Sequence, residues 1–264
     1  MLATLLSWRR EFGEVIRLPL RNPPTLQLGN PEDIRHVLVT NSRNYRKTGW
    51  LVIGKEFLGD GLLTSTEPLH SHQRDIVKPA FHRQTVLSYA DQIVQAAHDC
   101  TAIWIPGSIV NVSHRMARLT LVNIGKAFLN VDLSDVADDL IASFTVCQQY
   151  MTRTTSFMPN LIPTPLRLRY LRAVAQIDKV VYGIIRAHRA NPPALENILS
   201  ILLSARTENN NPLSEHLIRD EIVTMLWAGH ETTYNALEWA WYEISRHPRV
   251  ESRLIAELDA VLEG

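Results

Sequence analysis

Apolar residues recur at helical spacing along most of this 264-residue chain. The spacing predicts helices near 67–79, 86–105, 111–128, 134–150, 165–190, 196–206, 214–246 and 248–262, separated by short polar or proline-containing breaks. Strand-like alternation occurs only near the start, at Glu14–Leu20 and Thr25–Leu28, on either side of an Asn22-Pro23-Pro24 turn. The pattern therefore predicts a mainly α protein with a small N-terminal β-sheet portion.

Two further segments complete this outline. Asn30-Pro31-Glu32-Asp33 has the residue order of a helix start, with an N-cap, a proline at the first helical position and acids in the first turn. We expect that helix to run to about Val39. Residues 41–66 contain four glycines and read as an irregular loop, and a loop of that length inside a compact domain is usually functional. We expect one domain, or part of one, over residues 1–264.

The segment 214–246 stands out by its length, because a continuous helix there would extend roughly 50 Å. Its middle, residues 222–229 (IVTMLWAG), is apolar almost all the way round, which predicts a helix inside the protein. Residues 230–233 (HETT) follow at once, although a charged residue buried in a helix is costly unless it is paired or has a task.

The residues around this polar break suggest two interpretations. Gly229 allows another group to approach the backbone, and the Thr232 hydroxyl can bond the carbonyl of Ala228, which bends a helix. The segment is either a tolerated polar break in a core helix or a groove for a flat cofactor, a diatomic ligand and a proton path. A zinc-protease site is rejected, because H-E-x-x-H requires a second histidine where the chain has Tyr234.

A second candidate site lies in the predicted helix 67–79. His70 and Arg74 are four residues apart and share one face, where an imidazole N–H beside a guanidinium can bind a carboxylate. A solvated polar face is the alternative. A metal site formed by His70, His72 and His82 is disfavoured, because His70 and His72 point to different sides of the helix.

Composition excludes several classes of protein. The 27 basic and 27 acidic residues balance, which argues against a nucleic-acid binder. The chain has no G-x-G-x-x-G or Walker loop and no stretch of about 18 apolar residues that could span a membrane. Its only cysteines, Cys100 and Cys147, exclude a disulfide framework and suit a reducing, cytoplasmic location. Both are expected to be buried small apolar residues.

Together these residues resemble the cytochrome P450 (haem-thiolate) monooxygenase family. Residues 228–233 (AGHETT) are similar to the oxygen-activation motif on that family's long central helix. Residues 59–65 (GDGLLTS), the His70-x-x-x-Arg74 pair and residues 78–82 (KPAFH) are similar to the loop and helix that hold the haem propionates. The likeness covers the whole chain in register, and it implies an incomplete P450 fold with one long central helix.

The resemblance also implies roles for particular residues. The cofactor-binding residues would be His70, Arg74, Ala228 and Gly229, and the catalytic residues would be Glu231 and Thr232. Segment 41–66 would be a loop on the substrate side, and together with the helices at 134–190 it would line an apolar pocket. The apolar candidates there are Trp50, Leu51, Phe57, Phe144, Met151 and Phe157.

The implied function is insertion of one oxygen atom from O₂ into an apolar substrate. Electrons would come from NAD(P)H through a reductase or ferredoxin. Two departures matter: many members of the family have tryptophan where this chain has His70, and the family's Glu-x-x-Arg pair and iron-ligating cysteine loop are expected beyond Gly264. We therefore expect no metal ligand in this chain and an inactive fragment. The alternative is a non-catalytic helical protein, either a truncated product or an apolar-ligand carrier.

Overall fold

The computed structural model describes residues 2–18, 24–47, 50–153, 164–192, 197–207 and 209–262. Its strands are β1 (Val15–Leu18) and β2 (Thr25–Leu28). Its α-helices are α1 (Leu2–Phe12), α2 (Pro31–Arg35), α3 (Trp50–Leu58), α4 (Leu69–Val77), α5 (Arg83–Leu87), α6 (Ala90–Thr101), α7 (Val112–Leu129), α8 (Ala137–Arg153), α9 (Pro165–Ala190), α10 (Ile198–Ser204), α11 (Glu215–Arg246) and α12 (Pro248–Leu262). This confirms the prediction of a mainly α protein with a small N-terminal sheet.

The contacts divide the chain into two compact units, Met1–Thr48 and Gly49–Gly264. In the first unit β1 and β2 pair antiparallel, with Val15 opposite Leu28 and Leu18 opposite Thr25. The predicted strand pair is thus confirmed over the described residues, whereas residues 19–23, including most of the predicted turn, lie outside them. Helix α1 was not predicted from the sequence.

The helix start at Asn30 is confirmed. The Asn30 side chain accepts a hydrogen bond from the backbone N–H of Glu32 at 2.9 Å, and Pro31 occupies the first turn of α2. The helix continues with π-helical spacing over His36–Thr40, so its end agrees with the expected limit near Val39.

The loop predicted over residues 41–66 is wrong in its central part. Helix α3 occupies Trp50–Leu58 there, despite Gly54. Phe57 and Leu58 are completely buried, so tertiary packing stabilises a helix that the glycine content argued against. The part after α3, residues 59–68, is an irregular connection, as are residues 45–47 before it.

The second unit is built around α11, which has 32 residues. Ser214 caps it by accepting the Leu217 N–H at 3.1 Å, and residues 218–227 are buried against α7, α9 and α3. The prediction of one long central helix is confirmed.

The remaining helices agree with the predicted ranges within a few residues, with one exception. The expected helix 86–105 is two helices, α5 and α6, separated at Ser88 and Tyr89. The Ser88 hydroxyl donates to the Thr85 carbonyl at 2.7 Å, a local bond that competes with helix continuation.

Burial decreases sharply along α11. The side chains of Trp239 and Trp241 are exposed, and so is every described residue of α12. Among the described residues, no helix is both long and apolar enough to cross a membrane.

Candidate functional site

The threonine hydroxyl of the polar break makes the bond that the sequence predicts. Oγ1 of Thr232 donates to the carbonyl oxygen of Ala228 at 2.8 Å. Both threonines of the pair are exposed, but within the described part of the chain no such bond involves Thr233. The helix nevertheless remains continuous to Arg246. The Thr232 oxygen thus faces the surface with a lone pair left to accept a hydrogen bond.

Glu231 is held by a neighbouring helix. Its carboxylate accepts a hydrogen bond from the side-chain amide of Gln148 on α8, and the Asn235 amide donates to its backbone carbonyl at 2.8 Å. The carboxyl is half-buried, and burial raises its pKa, because a charged carboxylate is less stable away from water. Glu231 therefore retains a proton at a higher pH than an exposed glutamate.

Gly229 has a packing reason that the sequence did not indicate. A Cβ atom at this position would lie 2.6 Å from Cδ1 of Ile124 on α7. Its absence lets α7 approach the central helix closely. Ala228 and Gly229 are also the first half-buried residues after the fully buried stretch that ends at Trp227. From Ala228 onward, burial along α11 is therefore no longer continuous.

His230 is a residue of this region to which the sequence assigned no role. It is 2% exposed, and its Nδ1 lies 3.2 Å from Oγ1 of Thr120 on α7. Its ring is 4.9 Å from the Tyr234 ring and 6.1 Å from the Phe144 ring, centroid to centroid. Burial lowers its pKa to about 4, so the imidazole is neutral near pH 7. The apolar run before it was the only sequence signal for this burial.

The second candidate pair lies on α4, and the helix places both residues on one face, as predicted. Nδ1 of His70 is 3.2 Å from an oxygen of Glu67. Arg74 is exposed, and among the described residues it has no ion-pair partner. Its guanidinium is accessible to a carboxylate from outside the helix. His72 instead bonds the Arg206 carbonyl at 2.9 Å through Nε2.

The two cysteines differ in their surroundings. Cys147 is completely buried, as expected, and burial raises its pKa to about 12. Cys100 is only partly buried, which corrects the expectation for that residue, and burial raises its pKa as well. Neither thiol is placed to ionise readily. No group of three or more potential metal-ligating side chains occurs among the described residues.

The predicted site residues form two sets. Within the described part of the chain, no hydrogen bond or ion pair joins His70 or Arg74 to the set on α11. Each set fits one part of a haem. The exposed guanidinium suits a propionate, and the half-buried Ala228 is small enough for a flat apolar ring to lie against it. The residues present are thus compatible with this cofactor.

The chain is similar to several curated proteins from Streptomyces. The chain is 30% identical to the cyclooctatin synthase of Streptomyces melanosporofaciens, over 96% of this chain and 56% of that protein. It is 29% identical to the cyclooctat-9-en-7-ol 5-monooxygenase of the same organism, over 99% and 60%. It is 28% identical to the pentalenene oxygenase of Streptomyces avermitilis, over 96% and 57%. The chain therefore spans less than two thirds of the length of these relatives.

The fold has solved counterparts as well. The crystal structure of the cytochrome P450DA heme domain superposes with a TM-score of 0.83 at 25% identity, covering 100% of this chain and 59% of that one. The model of the family "Cytochrome P450" matches residues 2–264. Because that match extends over nearly the whole sequence, the chain belongs to the cytochrome P450 family.

Proposed function

We propose that this chain is the N-terminal portion of a haem-dependent monooxygenase that inserts one oxygen atom from O₂ into an apolar substrate. The observation that carries the proposal is the acid–hydroxyl pair Glu231–Thr232, positioned just where the buried central helix becomes uncovered. The family match and the names of the oxygenase relatives support it.

Two sets of residues would hold the haem. Arg74, assisted by His70, would bind a propionate through charge-assisted hydrogen bonds. The small Ala228 would let the ring lie against the central helix, whereas the space left by the missing Cβ of Gly229 is taken by Ile124 of α7. When bound, the haem iron supplies the binding and reductive cleavage of O₂.

Glu231 and Thr232 would supply the protons. The Glu231 carboxyl is half-buried, and burial raises its pKa, so it would keep a proton to a higher pH than an exposed glutamate and could pass that proton on. The Thr232 hydroxyl already donates to Ala228, so its oxygen would accept a hydrogen bond from a water and hold that water beside the reacting oxygen. Gln148 on α8 would fix the orientation of the carboxylate.

A cluster of aromatic rings supports the proposal that the substrate is apolar. It includes Trp227, the residue directly before Ala228. The Phe57 ring lies 6.0 Å from both the Phe144 ring and the Trp227 ring, with edge-to-face geometry. These residues come from α3, α8 and α11. Of the other predicted pocket residues, Met151 is buried in the same hydrophobic core, whereas the side chains of Trp50 and Leu51 and all of Phe157 lie outside the described residues.

The rest of the activity would come from elements outside these 264 residues. A cysteine loop would provide the iron ligand, and a reductase or ferredoxin would deliver electrons from NAD(P)H. The relatives are longer than this chain, which supports such a segment. The 264-residue chain alone would then be inactive.

The decisive experiment compares this chain with a fusion that adds the C-terminal segment of the cyclooctatin synthase. Both are supplied with haemin, reduced and exposed to carbon monoxide. We expect the thiolate-type, red-shifted Soret band from the fusion only. The same band from the 264-residue chain would contradict the proposed place of the iron ligand. A fusion that binds apolar ligands but no haemin would favour the carrier alternative.

A further inference from the structure

Three consecutive charged residues are buried near the start of the central helix. Arg219 is 5% exposed, and Asp220 and Glu221 are 0% exposed. Buried charges are costly unless they are paired and hydrogen-bonded, so a sequence that keeps three of them side by side requires an explanation. None of them belongs to the haem-binding or proton-transfer residues described above.

The two carboxylates bind the backbone of a loop that is distant in sequence. Oδ2 of Asp220 accepts the N–H of Asp60 at 2.9 Å, and Oε2 of Glu221 accepts the N–H of Leu62 at 3.2 Å. We call these two carboxylates with the two N–H groups the carboxylate clamp. It fixes loop 59–65 directly against α11.

Glycines make this close approach possible. Gly59 has φ +60°, and a Cβ there would lie 2.0 Å from Oδ2 of Asp220. A Cβ on Gly61 would lie 2.2 Å from Oγ1 of Thr224 and 2.6 Å from the Asp220 carbonyl oxygen. Both glycines flank Asp60, so larger side chains on either side of the clamp would push the loop away from the helix.

The other side of the same loop is attached to α4. The buried side-chain amide of Gln73 donates to the carbonyl oxygen of Asp60 at 2.6 Å. One residue, Asp60, is therefore held by α11 through its N–H and by α4 through its C=O. Gln73 directly precedes Arg74, the proposed propionate-binding residue.

Arg219 holds the clamp in place from behind. Its Nε donates to Oδ1 of Asp178 on α9 at 2.6 Å, and its Nη1 donates to Oδ1 of Asp220 at 3.0 Å. The same Nη1 donates to the Phe57 carbonyl at the end of α3, at 2.8 Å. The exposed His216 adds a further contact to Asp220, with Nδ1 3.0 Å from Oδ2. The charge of Asp220 is thus compensated, and its orientation is fixed.

We propose that Asp220 and Glu221 are positioning residues that connect the two halves of the haem site. The clamp fixes α4, and with it Arg74 and His70, relative to the central helix that carries Ala228, Glu231 and Thr232. This consequence for haem binding rests on the proposed function. The clamp itself is a property of the described contacts and can be tested separately.

Hydrogen exchange on the 264-residue chain tests the clamp. In Asp220→Asn we expect amides in residues 59–77 to exchange about tenfold faster or more, as expected from weakening one hydrogen bond to a charged acceptor. Amides in α7 and α9 should keep their rates. The control is Asp138→Asn, which removes the same charge from an exposed ion pair with Arg118. Unchanged exchange in residues 59–77, or an equal increase throughout the chain, would overturn the proposal.

A second variant covers the case in which Asp220→Asn does not fold. Gly61→Ala opens the same contact without altering a buried charge, and it should also accelerate exchange selectively in residues 59–77. Its control is Gly183→Ala on α9, where an added Cβ meets nothing within 4 Å. If Gly61→Ala exchanges like the parent in this segment, the loop is not held by the clamp.

Haemin titration separates the clamp from the proposed function. In the fusion with the C-terminal segment of the cyclooctatin synthase, Asp220→Asn should bind haemin about tenfold more weakly, the effect of losing one charge-assisted hydrogen bond. Asp138→Asn in the same fusion should bind haemin like the unsubstituted fusion. Equal affinities would overturn the connection to the haem site. If the unsubstituted fusion binds no haemin, the proposed function fails, and the exchange rates alone decide whether the clamp exists.

Discussion

Nδ1 of His230 on the central helix lies 3.2 Å from Oγ1 of Thr120 on α7, inside the core of the second unit. The Thr120 hydroxyl is also within 2.9 Å of the Met116 carbonyl oxygen, so it joins the imidazole to the α7 backbone. His230 directly precedes Glu231 in the chain. Its contact with Thr120 therefore anchors the central helix to α7 next to the proposed proton-transfer residues.

Because His230 is buried as a neutral imidazole, its contribution to the free energy of unfolding depends on pH. Its pKa falls from 6.5 to about 4 on folding, so the unfolded chain binds a proton first as pH drops. The contribution is fully present above pH 6.5 and is lost as pH falls to about 4, with a maximum of about 3 kcal/mol. Urea unfolding between pH 7.5 and pH 4.5 measures this slope.

The variant His230→Gln should flatten that dependence, because it removes the titrating group. The control is His114→Gln, which alters an exposed histidine on α7 and should keep the slope of the parent. Equal slopes for His230→Gln and the parent would contradict the assignment of the buried neutral imidazole.

Thr232 and Thr233 offer a matched pair for testing proton delivery in the complete protein. Thr232→Ala should leave haem and substrate binding nearly unchanged but divert reducing equivalents to peroxide, because a positioned proton relay is typically worth about 10²–10⁴-fold in rate. Thr233→Ala should lower the coupling much less, since the Thr233 hydroxyl points about 100° away around the helix. The measurement is product formed per NAD(P)H consumed. If Thr232→Ala forms as much product per NAD(P)H as the parent, the proton-relay role of Thr232 is wrong and only its helix-bending role remains.

Arg74 should determine how tightly the complete protein retains haem. Loss of its charge-assisted pair with a propionate should cost about 1.5–3 kcal/mol, which is roughly a 10- to 150-fold faster haem dissociation. Transfer of haem to an excess of apomyoglobin measures the rate. Arg172→Ala, at an exposed arginine on α9, is the control. A rate unchanged by Arg74→Ala would remove this residue from the site.

The uncovered face of α12 should make the 264-residue chain self-associate. Its apolar residues form one exposed stripe, Val250, Leu254, Leu258 and Val261, and Trp239 of α11 is 62% exposed. Apolar patches of this kind promote aggregation. Leu258→Glu should therefore raise the monomer fraction in sedimentation velocity, whereas Ile109→Glu, at an exposed apolar residue on a loop, should not. A parent chain that is monomeric at all concentrations would contradict this prediction.

Local sequence patterns determined most of the helices. The cap at Asn30, the long apolar run before Ala228 and the four-residue spacing from Ala228 to Thr232 all involve neighbours within one or two helical turns. Such interactions depend little on the rest of the chain, so the capping bond, the central helix and the Thr232 bond could be predicted and are confirmed. The same spacing placed His70 and Arg74 on one face of α4.

Only the tertiary structure decided which polar groups are buried. Arg219, Asp220 and Glu221 look like an ordinary charged turn in the sequence. Asp220 and Glu221 bind loop 59–65, about 160 residues earlier in the chain, and Arg219 binds Asp178 on α9 and the Phe57 carbonyl on α3. Helix α3 and the neutral His230 depend in the same way on partners from distant segments. Burial and the hydrogen bonds that compensate it are properties of contacts between distant residues, and a local pattern does not contain them.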